Sequence, residues 1–89
     1  MTTPLLRHLV ATGLAGQLVA RGVPGGFLLV MKNPGGEEFV LAAQRGSNRQ
    51  FKRLDTLAGF LNELGARCAL LELAGWDGRT SDLANPTHD

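Results

Sequence analysis

The densest group of chemically capable side chains lies in residues 45–53, RGSNRQFKR. It holds four basic residues: Arg45, Arg49, Lys52 and Arg53. Basic side chains around an aromatic ring can bind phosphates while the ring stacks on a base. The same charges can form a polar contact surface for a protein partner, or keep a sheet edge soluble and unpaired. The direction of Phe51 separates these alternatives, because only an outward ring could stack on a base.

Catalytic and metal-binding chemistry has little support elsewhere in the chain. His8 falls in an expected helix and His88 stands next to the last residue, while Ser47 has no His or Lys at a recognisable catalytic spacing. One cysteine and two histidines cannot form a zinc site, and the glycine-rich stretches match neither phosphate-loop pattern. We therefore expect a non-enzymatic protein with no catalytic residues, no metal and no cofactor.

Length and composition favour a small oligomeric domain. The chain has 89 residues, of which 44% are hydrophobic and 19% are charged. So little charge leaves more apolar surface than one small core can hide. Residues 1–53 hold seven Lys or Arg against two Glu, whereas residues 54–89 are acidic, and this polarity favours self-association or an acidic partner. No segment suits a membrane span, and the single Cys68, expected to be buried, fits a cytoplasmic location.

The N-terminal half is expected to form a helix and a hairpin. Thr3 and Pro4 are typical of a helix start, and apolar residues at helical spacing predict a helix over residues 4–21. Two β-prone runs, residues 26–32 and 37–44, flank the turn sequence Asn-Pro-Gly-Gly, so they predict an antiparallel hairpin. The first of these strands is apolar on both faces, which indicates burial on both.

The second half predicts a short strand, a helix and a last strand. Residues 49–53 could form the short strand, with Phe51 inward, and Asp55 is expected to cap a helix that Gly65 ends. Residues 67–74 are typical of a strand, and from residue 77 onward we expect a flexible tail. The predicted fold is therefore an α+β domain over residues 1–76 in the order α-β-β-(β)-α-β. Its sheet is mostly antiparallel, with three to four strands and two helices on one face.

Such a sheet leaves its second face uncovered. That face would show Val40, Leu70 and Trp76, an apolar patch that a lone small domain should not leave in water. We therefore expect a homodimer, formed either by packing the open sheet faces together or by pairing edge strands.

Residues 45–76 follow a pattern of a basic turn, a capped helix and an apolar strand closing in Gly-Trp. The positions that carry it are Arg45-Gly46, Arg49, Phe51-Lys52, Leu54-Asp55, Phe60-Leu61, Leu64-Gly65 and Gly75-Trp76. This pattern resembles small plasmid-borne proteins of the ParC type, which are associated with partition. The resemblance implies an accessory role in plasmid maintenance, partition or transfer, exerted by protein binding. Direct DNA or RNA binding through residues 45–53 is the alternative.

Overall fold

The fold is α+β, as the sequence predicts, and the sheet is mixed. The computed structural model describes residues 1–78, so most of the expected tail lies outside the described residues. The elements are α1 (Thr3–Ala11), β1 (Gln17–Val23), β2 (Gly26–Lys32), β3 (Glu38–Val40), β4 (Gln50–Phe51), α2 (Leu54–Leu64) and β5 (Leu70–Glu72). The strand order is β3-β2-β1-β5, and β4 also pairs with β2. Only the β1–β5 pairing is parallel, and the sheet has five strands rather than three to four.

The first helix is much shorter than predicted. Thr2, not Thr3, is the N-cap, and its hydroxyl accepts the N–H of Leu5 at 3.3 Å. The helix ends at Ala11 and is followed by Gly13 at a φ of 75°, in the left-handed region where glycine commonly ends helices. The prediction of one helix over residues 4–21 was therefore wrong beyond residue 11.

The segment predicted as the second half of that helix is the central strand β1. It pairs antiparallel with β2 from Gln17↔Lys32 to Val23↔Gly26. Pro24 and Gly25, which has a φ of 85°, form the tight turn between the two strands. A whole ladder of hydrogen bonds with β2 outweighs the helical tendency of this segment, which Gly13 and Gly16 separate from α1.

The predicted hairpin around residues 33–36 is present, with a shorter second strand. Asn33 and Glu37 close the turn, and the N–H of Gly36 donates to the carbonyl of Asn33 at 2.9 Å. After β3 the chain leaves the sheet in an excursion over residues 42–49 and returns as β4. Because β3 and β4 pair with opposite ends of β2, this excursion projects from one edge of the sheet.

Helix α2 starts and ends close to the predicted positions, although its cap differs. Arg53 is the N-cap residue and makes no side-chain cap, while Asp55 lies in the first turn instead. Gly65 ends the helix at a φ of 93°, as expected. Cys68 is exposed rather than buried, because β5 begins only at Leu70 and leaves residues 65–69 as a surface loop.

Both helices pack on one face of the sheet. The core between them joins residues from both helices, β1, β2 and β4 with the residue that directly follows β3: Leu6, Leu18, Ala20, Phe27, Leu29, Met31, Leu41, Phe51, Leu57, Leu61 and Leu64. On the opposite face, which we call the open face, Val19 and Val30 are also fully buried. Strand β2 is therefore buried on both sides along its middle, as its apolar sequence predicts.

Candidate functional site

The side chain of Phe51, at the centre of the basic run, points inward. It is 3% exposed and packs in the core. Its ring lies 5.6 Å from the ring of Phe60 on α2, measured between centroids. The guanidinium of Arg49 stacks on both rings, with its carbon 4.6 Å from the Phe51 centroid and 4.9 Å from the Phe60 centroid. The Phe51 ring is therefore buried against other side chains of the protein and is not available to stack on a base.

The four predicted basic residues divide into two groups. Arg45 and Arg49 line a groove between α1 and the excursion over residues 42–49. Lys52 is exposed outside that groove, and Arg53 donates to Asp55 at 3.1 Å across the start of α2. That contact lowers the pKa of the Asp55 carboxyl below its ordinary value, first through the hydrogen bond from Arg53. The proposed single contact surface is thus split in the structure.

The groove, which we call the basic groove, has a volume of about 1270 Å³. Its lining combines residues of α1 and its cap with residues of the excursion: Thr2, Thr3, Pro4, Arg7, His8, Ala11, Ala42, Ala43, Gln44, Arg45, Ser47 and Arg49. No aspartate or glutamate is among these lining residues of the described chain. Arg7 was missed from the sequence, because only the packing of α1 beside a distant loop brings it near Arg45 and Arg49.

Backbone hydrogen bonds hold both walls of the basic groove in place. The terminal amino group of Met1 donates to the carbonyl of Val40 at 3.0 Å, and the N–H of Ala42 donates to the carbonyl of Met1 at 2.7 Å. These bonds fix the start of α1 against the outer edge of β3. The other wall is a tight turn in which the N–H of Ala43 donates to the carbonyl of Ser47 at 2.6 Å.

A second charged group crosses the open face. Arg21 on β1 makes two hydrogen bonds of 2.8 Å to the carboxylate of Glu38 on β3, and one of 2.6 Å to Glu72 on β5. Lys32 lies 3.7 Å from Glu38. By the strand register, Arg21 and Glu38 lie on opposite sides of the pair Val19 and Val30, so their contact spans these buried valines.

These contacts shift the ionisation of the charged groups. The hydrogen bonds from Arg21 are the main reason that the pKa of Glu38 falls from its ordinary 4.5 to about 2. The same guanidinium lowers the pKa of Glu72, and the two carboxylates in turn raise the pKa of Arg21. All three groups therefore stay charged at neutral pH and form a fixed ionic bridge from β3 to β5.

The outer edge of β5 has no strand partner among residues 1–78, and exposed leucines lie along it. Leu70, Leu71 and Leu73 are 45%, 42% and 53% exposed. Beside the strand, a cavity of about 370 Å³ separates α2 from β5 and is lined by Leu57, Leu61 and Leu71 among others. An exposed apolar edge of this kind is a template for strand addition.

The three residues predicted to form an oligomer surface do not all meet. Val40 and Leu70 end one row of the open face, which runs Leu70–Val19–Val30–Val40 across the sheet. Trp76 lies on the helix side instead, where its ring is 5.3 Å from that of Phe27. Residues after β5 turn back under β1, because Gly22 leaves space for Trp76 and a Cβ there would lie 2.6 Å from the Trp76 Cβ.

Three other carboxylates near the sheet and the start of α2 have structural contacts. Glu37 accepts from the side chain of Asn33 at 2.9 Å in the hairpin turn, and Glu38 and Asp55 bind arginines as described above. Within residues 1–78, no three His, Cys, Asp or Glu side chains lie together in a group that could hold a metal ion.

Comparison with known proteins gives no family assignment. No family model, no curated protein and no solved structure matches the chain. Among the described residues, neither helix has the length and apolar character required to cross a membrane.

Proposed function

We propose that this protein is a small non-enzymatic binding protein that works as a homodimer in the cytoplasm, with the two copies joined through β5. The observation that carries the proposal is the group of exposed leucines at that strand's edge: Leu70 and Leu71 within β5, and Leu73 directly after it. Pairing two copies of one edge around a two-fold axis makes the strands antiparallel and joins the two sheets into one. It would satisfy the free backbone groups and cover the leucines together.

The charges on the open face favour edge pairing over face-to-face packing. The centre of that face is spanned by Arg21, Glu38 and Glu72, and the valines beneath are already fully buried. Packing two such faces together would take several charges out of water and would gain little additional apolar burial. The edge of β5 offers apolar area without that cost.

The alternative of nucleic-acid binding through residues 45–53 has lost its stacking element. Phe51 is in the core, and its exposed neighbour Lys52 lies outside the groove that Arg45 and Arg49 line. The remaining charges fit a contact surface for another protein better than a platform for bases.

The dimer is tested by light scattering on the purified full chain at micromolar concentration. The expected mass is about twice the 9.5 kDa of one chain. Leu71→Lys places a charge in the proposed interface and is expected to yield a monomer. Phe39→Lys is the matched control, because Phe39 on β3 is 40% exposed against 42% for Leu71. A wild-type mass near one chain, or dimer loss only with Phe39→Lys, would overturn the proposal.

The biological setting that we propose is plasmid maintenance, partition or transfer. Its support is the resemblance of residues 45–76 to ParC-type proteins, together with a surface organised for binding. The genes beside the coding sequence provide the direct check. Partition or conjugation genes alongside would support this setting, and a chromosomal neighbourhood of unrelated metabolic genes would count against it.

A further inference from the structure

We infer that the basic groove binds an acidic segment of a partner protein, in an extended form, through Arg7, Arg45 and Arg49. This inference extends the proposed role as a binding protein and uses a surface distinct from β5. The dimer and the groove therefore supply two separate contacts, one to a second copy and one to a partner of opposite charge.

The size of the groove suits a peptide segment. Its volume of about 1270 Å³ exceeds the usual range for small-molecule pockets, roughly 300–1,000 Å³. The three alanines of the lining, Ala11, Ala42 and Ala43, leave room for a second backbone to approach closely. Thr2 is already used in capping α1, so the arginines rather than the helix end supply the charge.

Arg49 is the anchor of the site, because its guanidinium is already held in place. Its guanidinium carbon lies 4.6 Å from the Phe51 centroid and 4.9 Å from the Phe60 centroid, over two rings that also contact each other. The N–H groups at its edge remain suited to a carboxylate, which accepts two parallel hydrogen bonds from a guanidinium. A side chain that is fixed beforehand loses little freedom on binding.

Charge distinguishes this groove from the other arginine site of the molecule. Arg21 is saturated by Glu38 and Glu72, whereas Arg7 and Arg45 make no ion pair with any residue of the part of the chain that is described. Three guanidinium groups without a neighbouring carboxylate favour an acidic ligand.

A protein ligand is favoured over a nucleic acid by the lining itself. None of the described residues that line the groove is aromatic, so bases would have no ring on which to stack. The net charge of the chain is only +1, which gives little of the broad positive field that polyanion binding uses. The positive charge is concentrated at Arg7, Arg45 and Arg49 in the groove, which suits a short acidic segment.

The test is fluorescence anisotropy with a labelled peptide of alternating Glu and Ala, titrated with the full chain. The same peptide with Gln in place of Glu is the matched ligand control. Labelled single-stranded and duplex DNA are titrated in parallel. We expect the Glu peptide to bind measurably more tightly than the Gln peptide and than either DNA.

Variants then locate the site. Arg49→Lys keeps the charge but removes the planar fork, and should weaken the Glu peptide about tenfold or more. Arg45→Gln, on the exposed excursion, should weaken it several-fold without touching the core. Lys52→Gln removes one charge from the same basic run outside the groove, and should change affinity by less than about twofold.

Three results would overturn the inference: equal binding of the Glu and Gln peptides, equal losses with Lys52→Gln and Arg49→Lys, or tighter binding of DNA than of the Glu peptide. The Leu71→Lys variant separates this inference from the dimer. Because each groove lies within one chain, that variant should bind the Glu peptide as wild type does. Retained binding in a monomer would leave the groove standing even if the dimer proposal failed.

Discussion

The two edges of the sheet differ in how they meet solvent. At β3, hydrogen bonds from Met1 to Val40 and from Ala42 to Met1 cover part of the edge. At β5, no described strand covers the edge, and leucines at positions 70, 71 and 73 are exposed. Covering an edge prevents unwanted strand pairing. Within residues 1–78 one edge is covered in this way and the other is not, which is the arrangement that the proposed pairing through β5 requires.

The largest expected effect on stability and on the proposed dimer comes from a substitution in β1 that displaces the neighbouring β5. A Cβ at Gly22 would lie 2.6 Å from the Trp76 Cβ and 2.9 Å from the carbonyl oxygen of Glu72. Gly22→Ala must therefore push residues 72–76 away from β1, and we expect it to lower the free energy of unfolding by about 1–3 kcal/mol. Urea unfolding and light scattering, both at one fixed protein concentration, measure the loss of stability and of the dimer.

Gly26→Ala is the control on the other strand of the same hairpin, across the turn from Gly22. A Cβ there would clash with the carbonyl oxygen of Phe51, so the disturbance falls on β4 and not on β5. We expect a similar loss of stability with the dimer retained. Loss of the dimer in both variants would show that assembly depends on general stability rather than on the β5 edge.

The next effect concerns Arg21, which joins the two edges. Arg21→Met removes the contacts to Glu38 and Glu72 and leaves two carboxylates without their cation. We expect the Tm to fall by a few degrees, since partly exposed ion pairs contribute modestly. Thermal unfolding monitored by circular dichroism measures this fall in Tm. An unchanged Tm would mean that the bridge orders the face without stabilising it.

Acid should weaken the same bridge in wild type. The folded-state pKa of Glu38, about 2, lies below its ordinary 4.5, and that of Glu72 is lowered as well. A lowered pKa means that the stabilisation is present above pH 4.5 and is lost as the pH falls toward 2. The Tm of wild type should therefore decline over that range, and the Tm of Arg21→Met should decline less. Parallel curves for the two proteins would contradict this assignment.

The smallest effect is expected away from both edges, at the start of α2. Asp55 contacts Arg53, but both side chains are largely exposed, at 71% and 65%. Asp55→Asn should change the Tm only slightly, because surface pairs of this kind contribute little. Loss of an N-cap side chain typically lowers stability more than loss of a surface ion pair. A marked fall in Tm would therefore indicate that Asp55 caps α2, as the sequence suggested.

Local patterns were sufficient where the chain makes its own contacts. The Asn-Pro-Gly-Gly turn and the end of α2 at Gly65 follow from residues close in sequence, whereas the direction of Phe51 was left open and is decided by its packing against Phe60 of α2. Strand β1 could not be predicted from local patterns, because its apolar spacing fits a helix as well as a strand. Pairing with β2 decided between the two. Gly13 and Gly16 were the available signal for a break in the helix, and at Gly16 a Cβ would clash with the carbonyl oxygen of Lys32.

The candidate site was predictable only in part for the same reason. The sequence identified Arg45 and Arg49, but it grouped them with Lys52 and Arg53 because they are neighbours in the chain. The groove instead takes Arg7 from a helix some forty residues away. Trp76 was placed with Val40 and Leu70 from strand alternation, which does not apply after the chain turns beyond β5.

The sequence by itself determined the α+β class, the hairpin turn, the second helix and the excess of apolar surface, because these depend on composition and on short-range spacing. The tertiary structure alone decided that residues 17–23 form the central strand, that Arg21 bridges two distant glutamates, and which arginines share a groove. Those features depend on contacts between segments far apart in the chain, whose energies exceed the local preferences that a sequence displays.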